Sequence, residues 1–281
     1  MSTGWLARLE LGFEQDGPRS VLRHRRHEGP LRVQRSFHPE GNTCHSYLIH
    51  PPGGVVGGDR LEVKVNVSED ARALITTPAA GKFYRSAGAW ARQTQHLRVA
   101  AGASLEWLPA LNILHGGARV HMRNRFDLAP DARLLAWDLV GLGRPGSGDD
   151  FATGALDTRL QVWKENRPLL DERLRLEGGS PALTSPWGLR GQGYMATLLA
   201  WPATPGMLEG LRAAMNESPE PRPGCTLLSA DAGTGSASGL LVCRWLAPTG
   251  EALWNALVAS WSLLRPQILG RPACPPRIWS T

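Results

Sequence analysis

The chain has 281 residues, of which 42% are hydrophobic, 20% charged and 7% aromatic. That apolar supply allows a sizeable core and excludes a disordered chain, which lacks the apolar surface to offset the entropy of ordering. A net charge of +6 points to acidic partners, protein or nucleic acid. No apolar run reaches the ~18 residues of a spanning helix, so no membrane association is expected.

High glycine (32) and proline (22) contents favour short strands joined by turns. The opening MSTGWLARLE has no basic region followed by an apolar one, so no signal peptide is expected. Trp5, Ala7, Leu9, Leu11 and Phe13 then alternate as one apolar strand face. Arg19, Arg23, Arg25, Arg26, Arg32 and Arg35 follow as a basic cluster, either a solvated face or a surface for an acidic partner. Further strands are expected at 31–33, 45–50, 61–67, 71–76, 93–99, 103–108, 118–126, 132–140 and 155–163.

Helical spacing comes late. Met207, Leu208, Leu211, Ala214 and Met215 predict a helix over 207–216, and Leu253, Trp254, Leu257, Trp261 and Leu264 a stronger one over 251–265, stopped by Pro266. CTLLSA (225–230) and GLLVCRWL read as buried strands. No internal repeat is evident. The expected architecture is a single mainly-β domain over 1–281, a sandwich, barrel or stacked β-coil, with two or so helices near the C-terminus.

Catalytic and nucleotide signatures fail on inspection. At Gly81-Lys82, Phe83 stands where a phosphate loop needs Ser or Thr, and Thr76 where it needs the first glycine. GLGRPG at 141–146 matches G-x-G-x-x-G but continues as loop, whereas a dinucleotide site needs a helix to begin there. There is no G-x-S-x-G, Ser236 and Ser238 miss its register, and every histidine precedes residue 122. Cys44, Cys225, Cys243 and Cys274 form no CxxC pair, which fits a reducing cytoplasm. Cys44, His45 and His50 are candidate soft and borderline ligands, but a strand would send residues 44 and 45 to opposite faces.

The carboxylates are more informative. Asp59 closes PPGGVVGGD, Glu106 precedes Trp107, Asp138 follows Trp137, and Asp171-Glu172 form a pair. Alternation puts Asp138 on the face of Leu134 and Ala136, aimed at an apolar interior, where an acid must be paired, hydrated or bound to a cation. The residues favour a binding or assembly protein over an enzyme, with a basic nucleic-acid-binding β-protein as the alternative.

HEGPLRVQRSFHPEG (27–41), HPPGGVVGGDRLEV (50–63), TTPAAGKFYRS (76–86), ASLEWLP (103–109), WDLVGLGRPGSGDDF (137–151) and the terminal PPRIWST resemble, in the same order, the urease accessory protein family UreD, also called UreH. The resemblance runs nearly end to end. It implies a helical stack of β-strands and a non-catalytic maturation factor that binds UreF, through it the GTPase UreG, and apo-urease. Nickel would be transient cargo rather than a tightly bound cofactor, passing along a polar internal route. Weak, successive oxygen ligands suit such a route, and Asp59, Asp138, Glu106 and Glu172 are the candidates, with Lys82 and Arg85 as supporting cations. The chain departs from the family after EWLP, where ALNILHGGA puts Leu111 in place of a glutamate and leaves His115 as a substitute ligand. Trp254, Trp261, Arg277, Ile278 and Trp279 are the expected UreF contacts, because a Trp-rich helix and an apolar tail make good interface anchors.

Overall fold

The computed structural model describes residues 4–216, 221–229 and 238–280. Strands β1 (Leu6–Asp16) and β2 (Arg19–Glu28) form an antiparallel hairpin, followed by β3 (Arg32–Val33). The chain then climbs in coils. The first coil joins β4 (Cys44–Ile49) to β5 (Arg60–Val67). The second holds β6 (Arg72–Thr76), β7 (Gly81–Phe83) and β8 (Ala91–Val99). The third holds β9 (Ser104–Leu108), β10 (Asn112–Leu114) and β11 (Arg119–Leu128). The fourth joins β12 (Arg133–Leu142) to β13 (Ala155–Lys164), from which β14 (Arg167–Glu177) folds back. The remainder is a single helical turn α1 (Pro181–Thr184), β15 (Tyr194–Ala203), α2 (Pro205–Asn216), β16 (Gly224–Ser229), β17 (Gly239–Ala247) and α3 (Gly250–Leu269).

Each coil lays one strand on each of two sheets. One is seven-stranded, in the order β14-β13-β11-β8-β5-β1-β2; the other is ten-stranded, β16-β17-β15-β12-β9-β6-β4-β3, with β7 and β10 extending a side face from β12. The coil-to-coil pairings are parallel and in step, so Arg72, Ser104 and Arg133 lie side by side. This is the stacked β-coil among the expected architectures. The coils repeat in geometry without repeating in sequence, because each needs only alternating apolar positions and permissive turns.

Leu9, Val63, Leu97, Ile75, Leu105 and Ala136 meet in the main core between the sheets. The outer face of the ten-stranded sheet carries a second apolar layer, in which Leu74, Leu108, Trp137 and Trp245 pack against Leu253, Leu257, Trp261 and Leu264 of α3. The inner strands of this sheet are therefore buried on both faces, which explains their nearly continuous apolar runs. Each such side chain contributes roughly 1.5–3 kcal/mol by burial.

The structure adds two strands and carries one helix past its expected end. The basic cluster includes the edge strand β2, and 167–177 forms β14, both too polar to show a strand pattern. Helix α3 runs through Pro266 to Leu269 and ends at Gly270, in the left-handed region at φ 68°, where the Gly270 N–H donates to the Pro266 carbonyl. Val55 is buried, but Val56 of the same turn is 48% exposed. GLGRPG turns into a short 3-10 segment at Pro145–Ser147. Ser236 and Ala230 lie outside the described residues.

Candidate functional site

A cavity of about 890 Å³ separates the two sheets where β12, β15 and β17 face β13 and β14. Asp138, Thr197 and Arg244 form one polar row in its wall, each opposite the next across antiparallel pairs. Thr158 and Glu172 stand on the facing sheet, and Gln192 comes from the segment before β15. Arg244 hydrogen-bonds Glu172, so this ion pair spans the gap between the sheets.

Asp138 is partly buried and lines the cavity between apolar neighbours. Burial pushes its carboxyl up to about 6, and the Leu139 N–H pulls it partly back. No cation among the described residues pairs with it. Alternation along β12 had set its direction, and the apolar neighbours Ala136 and Val140 on the same face set its electrostatics. Asp171 and Glu172, adjacent in sequence, are separated by the pleat. Asp171 binds Arg159 at 2.7 Å on the outer face, and Glu172 points inward.

Glu106 occupies the opposite face of its sheet, beneath α3. It is completely buried and accepts from Trp261 Nε1 at 2.8 Å and from Arg265 Nε and Nη2, each at 2.9 Å. Arg265 also donates to Glu40 at 2.7 Å, and His45 Nε2 lies 2.6 Å from the same oxygen. Burial alone would raise the Glu40 carboxyl; the hydrogen bonds with His45 and Arg265 outweigh it and hold Glu40 at about 2. With its oxygens committed to this network, Glu106 fastens the helix and does not line the cavity.

Asp59 likewise stands elsewhere. Its Oδ1 accepts from the Trp5 N–H at 2.8 Å and its Oδ2 from the Val56 N–H at 3.0 Å, closing the PPGGVVGGD turn on itself and onto the N-terminal strand. Side chains at Gly54 and Gly57 would collide with Tyr84 and Ser86, so the turn sits flush against the β7–β8 connection.

Lys82 and Arg85 pair with none of the four candidate acids, contrary to expectation: neither forms an ion pair among the described residues. His115 stacks on Tyr84 with ring centroids 5.1 Å apart, and its Nδ1 lies 3.3 Å from Asp149. Asp149 in turn accepts from the Gly116 N–H. The histidine thus closes the loop that departs from the family pattern and is not part of the cavity wall. Among the described residues, no three His, Cys, Asp or Glu side chains gather as a metal site.

The C-terminal tail returns onto the body. Trp279 packs against Trp137, Trp254 and Trp261, at centroid distances of 5.6, 5.1 and 5.3 Å, and donates to Thr76 Oγ1 at 3.0 Å. Trp261 is completely buried, which removes it from the expected partner contacts. Trp254, Ile278 and Trp279 remain half-exposed in an open pocket of about 410 Å³ with Leu111 and Tyr194, and Arg277 is exposed.

A family model described as UreD urease accessory protein matches residues 6–280. The urease accessory protein UreD of Alkalilimnicola ehrlichii is 52% identical over 281 residues, covering 100% of this chain and 93% of that protein. The chain belongs to the UreD family. Another UreD, from Pseudomonas putida strain W619, is 47% identical over 99% of this chain and 95% of its own. That of Klebsiella aerogenes is 43% identical over 100% of this chain and 98% of its own. The resemblance read from the ordered landmarks is therefore correct, and the stacked-coil fold it implied is the one observed. No described helix of this UreD-family chain is long and apolar enough to cross a membrane.

Two of the four acids expected on one route, Asp138 and Glu172, share the cavity; Asp59 and Glu106 do not. Sequence reasoning missed Arg244, Thr197 and Thr158. Arg244 carried no signal of its own, since its carboxylate partner lies 72 residues away.

Proposed function

We propose that this chain is a non-catalytic maturation factor of urease. With UreF, and through it the GTPase UreG, it docks on apo-urease and passes nickel through the space between its sheets. Membership of a family of urease accessory proteins supports the first part. The cavity holding the unpaired carboxylate of Asp138 opposite Glu172 supports the second.

The chemistry suits a cargo that must leave. Nickel in transit would meet Asp138, Thr197 and Thr158 together with cavity water, an oxygen set that exchanges faster than thiolate or imidazole cages. Glu172 is paired with Arg244 and so binds a cation more weakly than an unpaired acid. The half-exposed Trp254 and Trp279 with Leu111 in the 410 Å³ pocket are our candidate UreF contact, replacing the buried Trp261.

The test is co-expression of Asp138→Asn and Glu172→Gln with UreF, UreG and apo-urease, followed by nickel analysis of the purified urease. The variants should still assemble but deliver urease with lowered nickel. Full nickel occupancy with both variants would remove the cavity from the mechanism.

A further inference from the structure

The two sheets differ on their outer faces. That of the ten-stranded sheet is covered by α2 and α3, whereas that of the seven-stranded sheet is bare among the described residues. Its parallel strands run in step, so Arg60, Arg92, His121, Asp157 and Arg175 form a single row. Asp157 accepts charge-assisted bonds from Arg123, Arg173 and Arg175 together, at 3.1, 2.6 and 3.2 Å. Three guanidinium groups thus share one carboxylate, which leaves surplus positive charge on this face.

At one end of that row the arginines have no acidic partner. Arg60, Arg92 and Arg119 are exposed, and none forms an ion pair among the described residues. Arg119 lies over the Trp90 ring, 4.7 Å from its centroid, and His121 stacks on the same ring at 4.1 Å. The sheet register places Arg60 next to Arg92, and Arg92 next to His121. Arg119, already held over the Trp90 ring, loses less freedom than an unsupported side chain when a carboxylate arrives, which favours it as the central contact.

We infer that Arg60, Arg92 and Arg119, around the stacked Trp90 and His121, form a docking surface for a carboxylate-rich protein surface. Charge complementarity carries this choice, and two observations favour protein over nucleic acid. Ion-paired acids, among them Glu62, Asp157 and Asp171, interrupt the cations of this face, so it offers no continuous basic track for a regularly charged phosphate backbone. Trp90 and Trp163 offer no free ring for base stacking on the arginine side, since Arg119 caps Trp90 and Arg125 caps Trp163. The inference is independent of the nickel route, which lies on the other side of this sheet.

The full chain is titrated with a poly-L-glutamate peptide and, at the same ionic strength, with a short DNA duplex. The variant R60E/R92E/R119E should bind poly-L-glutamate at least about tenfold more weakly than the wild type. R19E/R25E/R26E, which changes net charge equally on β2, should lose less than about threefold. Circular dichroism melting checks the fold; if the reversed-charge variant is unfolded, R60Q/R92Q/R119Q is judged by the same comparison. Equal losses in the two variants, or none, would overturn the surface as a specific site. Tighter binding of the duplex, lost in the same variant, would assign the patch to nucleic acid and overturn the protein reading.

Discussion

Arg265 of α3 and Glu106 of β9 meet through two hydrogen bonds of 2.9 Å, and both side chains are completely buried. The pair is separated by 159 residues and ties the late helix to the middle of the coil stack. Burial alone would lower the Arg265 pKa; the bonds to Glu106 and Glu40 outweigh it and raise it, so the guanidinium stays charged. A group that is buried, charged and doubly paired in this way is structural.

Breaking that pair from one side should be severe. Arg265→Met leaves Glu106 and Glu40 buried without their cation and should cost about 3–5 kcal/mol in denaturant unfolding. Adding Glu106→Gln should cost less than the sum of the single changes, since it removes one stranded charge. Additive losses would show that the two residues are not coupled.

Acid should loosen the same network. Glu40 sits at about 2 in the folded protein against 4.5 for the free side chain. Between these values the unfolded chain binds more protons. The stabilisation is therefore full above pH 4.5 and lost as pH falls towards 2. Glu40→Gln should remove about 2–3 kcal/mol at neutral pH and flatten the pH dependence over that window, as measured by urea midpoints.

Asp138 has the opposite sign. Its folded pKa of about 6 lies above the ordinary 3.8, so between these values the folded chain binds more protons. Stability falls as pH rises through the window, and the full burden of the buried charge stands above pH 6. Asp138→Asn should therefore stabilise the protein at pH 7 by about 1–3 kcal/mol, an advantage that vanishes below pH 4. A more stable protein that delivers less nickel would mark the carboxylate as kept for function. No stabilisation in thermal melts at pH 7 would contradict the burial argument.

The tail should behave as part of the fold. Trp279→Ala removes a ring wedged among Trp137, Trp254 and Trp261 and should cost about 2–4 kcal/mol, with a red shift of tryptophan fluorescence. Deleting residues 266–281 is for this reason a poor test of UreF docking, since it removes core. Ile278→Ala in the pocket wall and Arg277→Ala on the exposed residue beside it probe the same contact with less damage to the fold.

The sequence by itself determined the strand-rich class, most strand positions and the family, because alternation and turn residues act over a few neighbours and the landmarks are distinctive in order. It also set the inward direction of Asp138, since the pleat fixes which neighbours share a face. It did not show that Glu172 would reach the same cavity, that Asp59 would cap a turn, or that Glu106 would be spent on Arg265. Those outcomes depend on which strand lies opposite which, and on where α3 and the tail come to rest. A carboxylate's role is decided by its partners. Here they lie from one residue away, as Leu139 is from Asp138, to 159, as Arg265 is from Glu106, and only the folded chain brings the distant ones together.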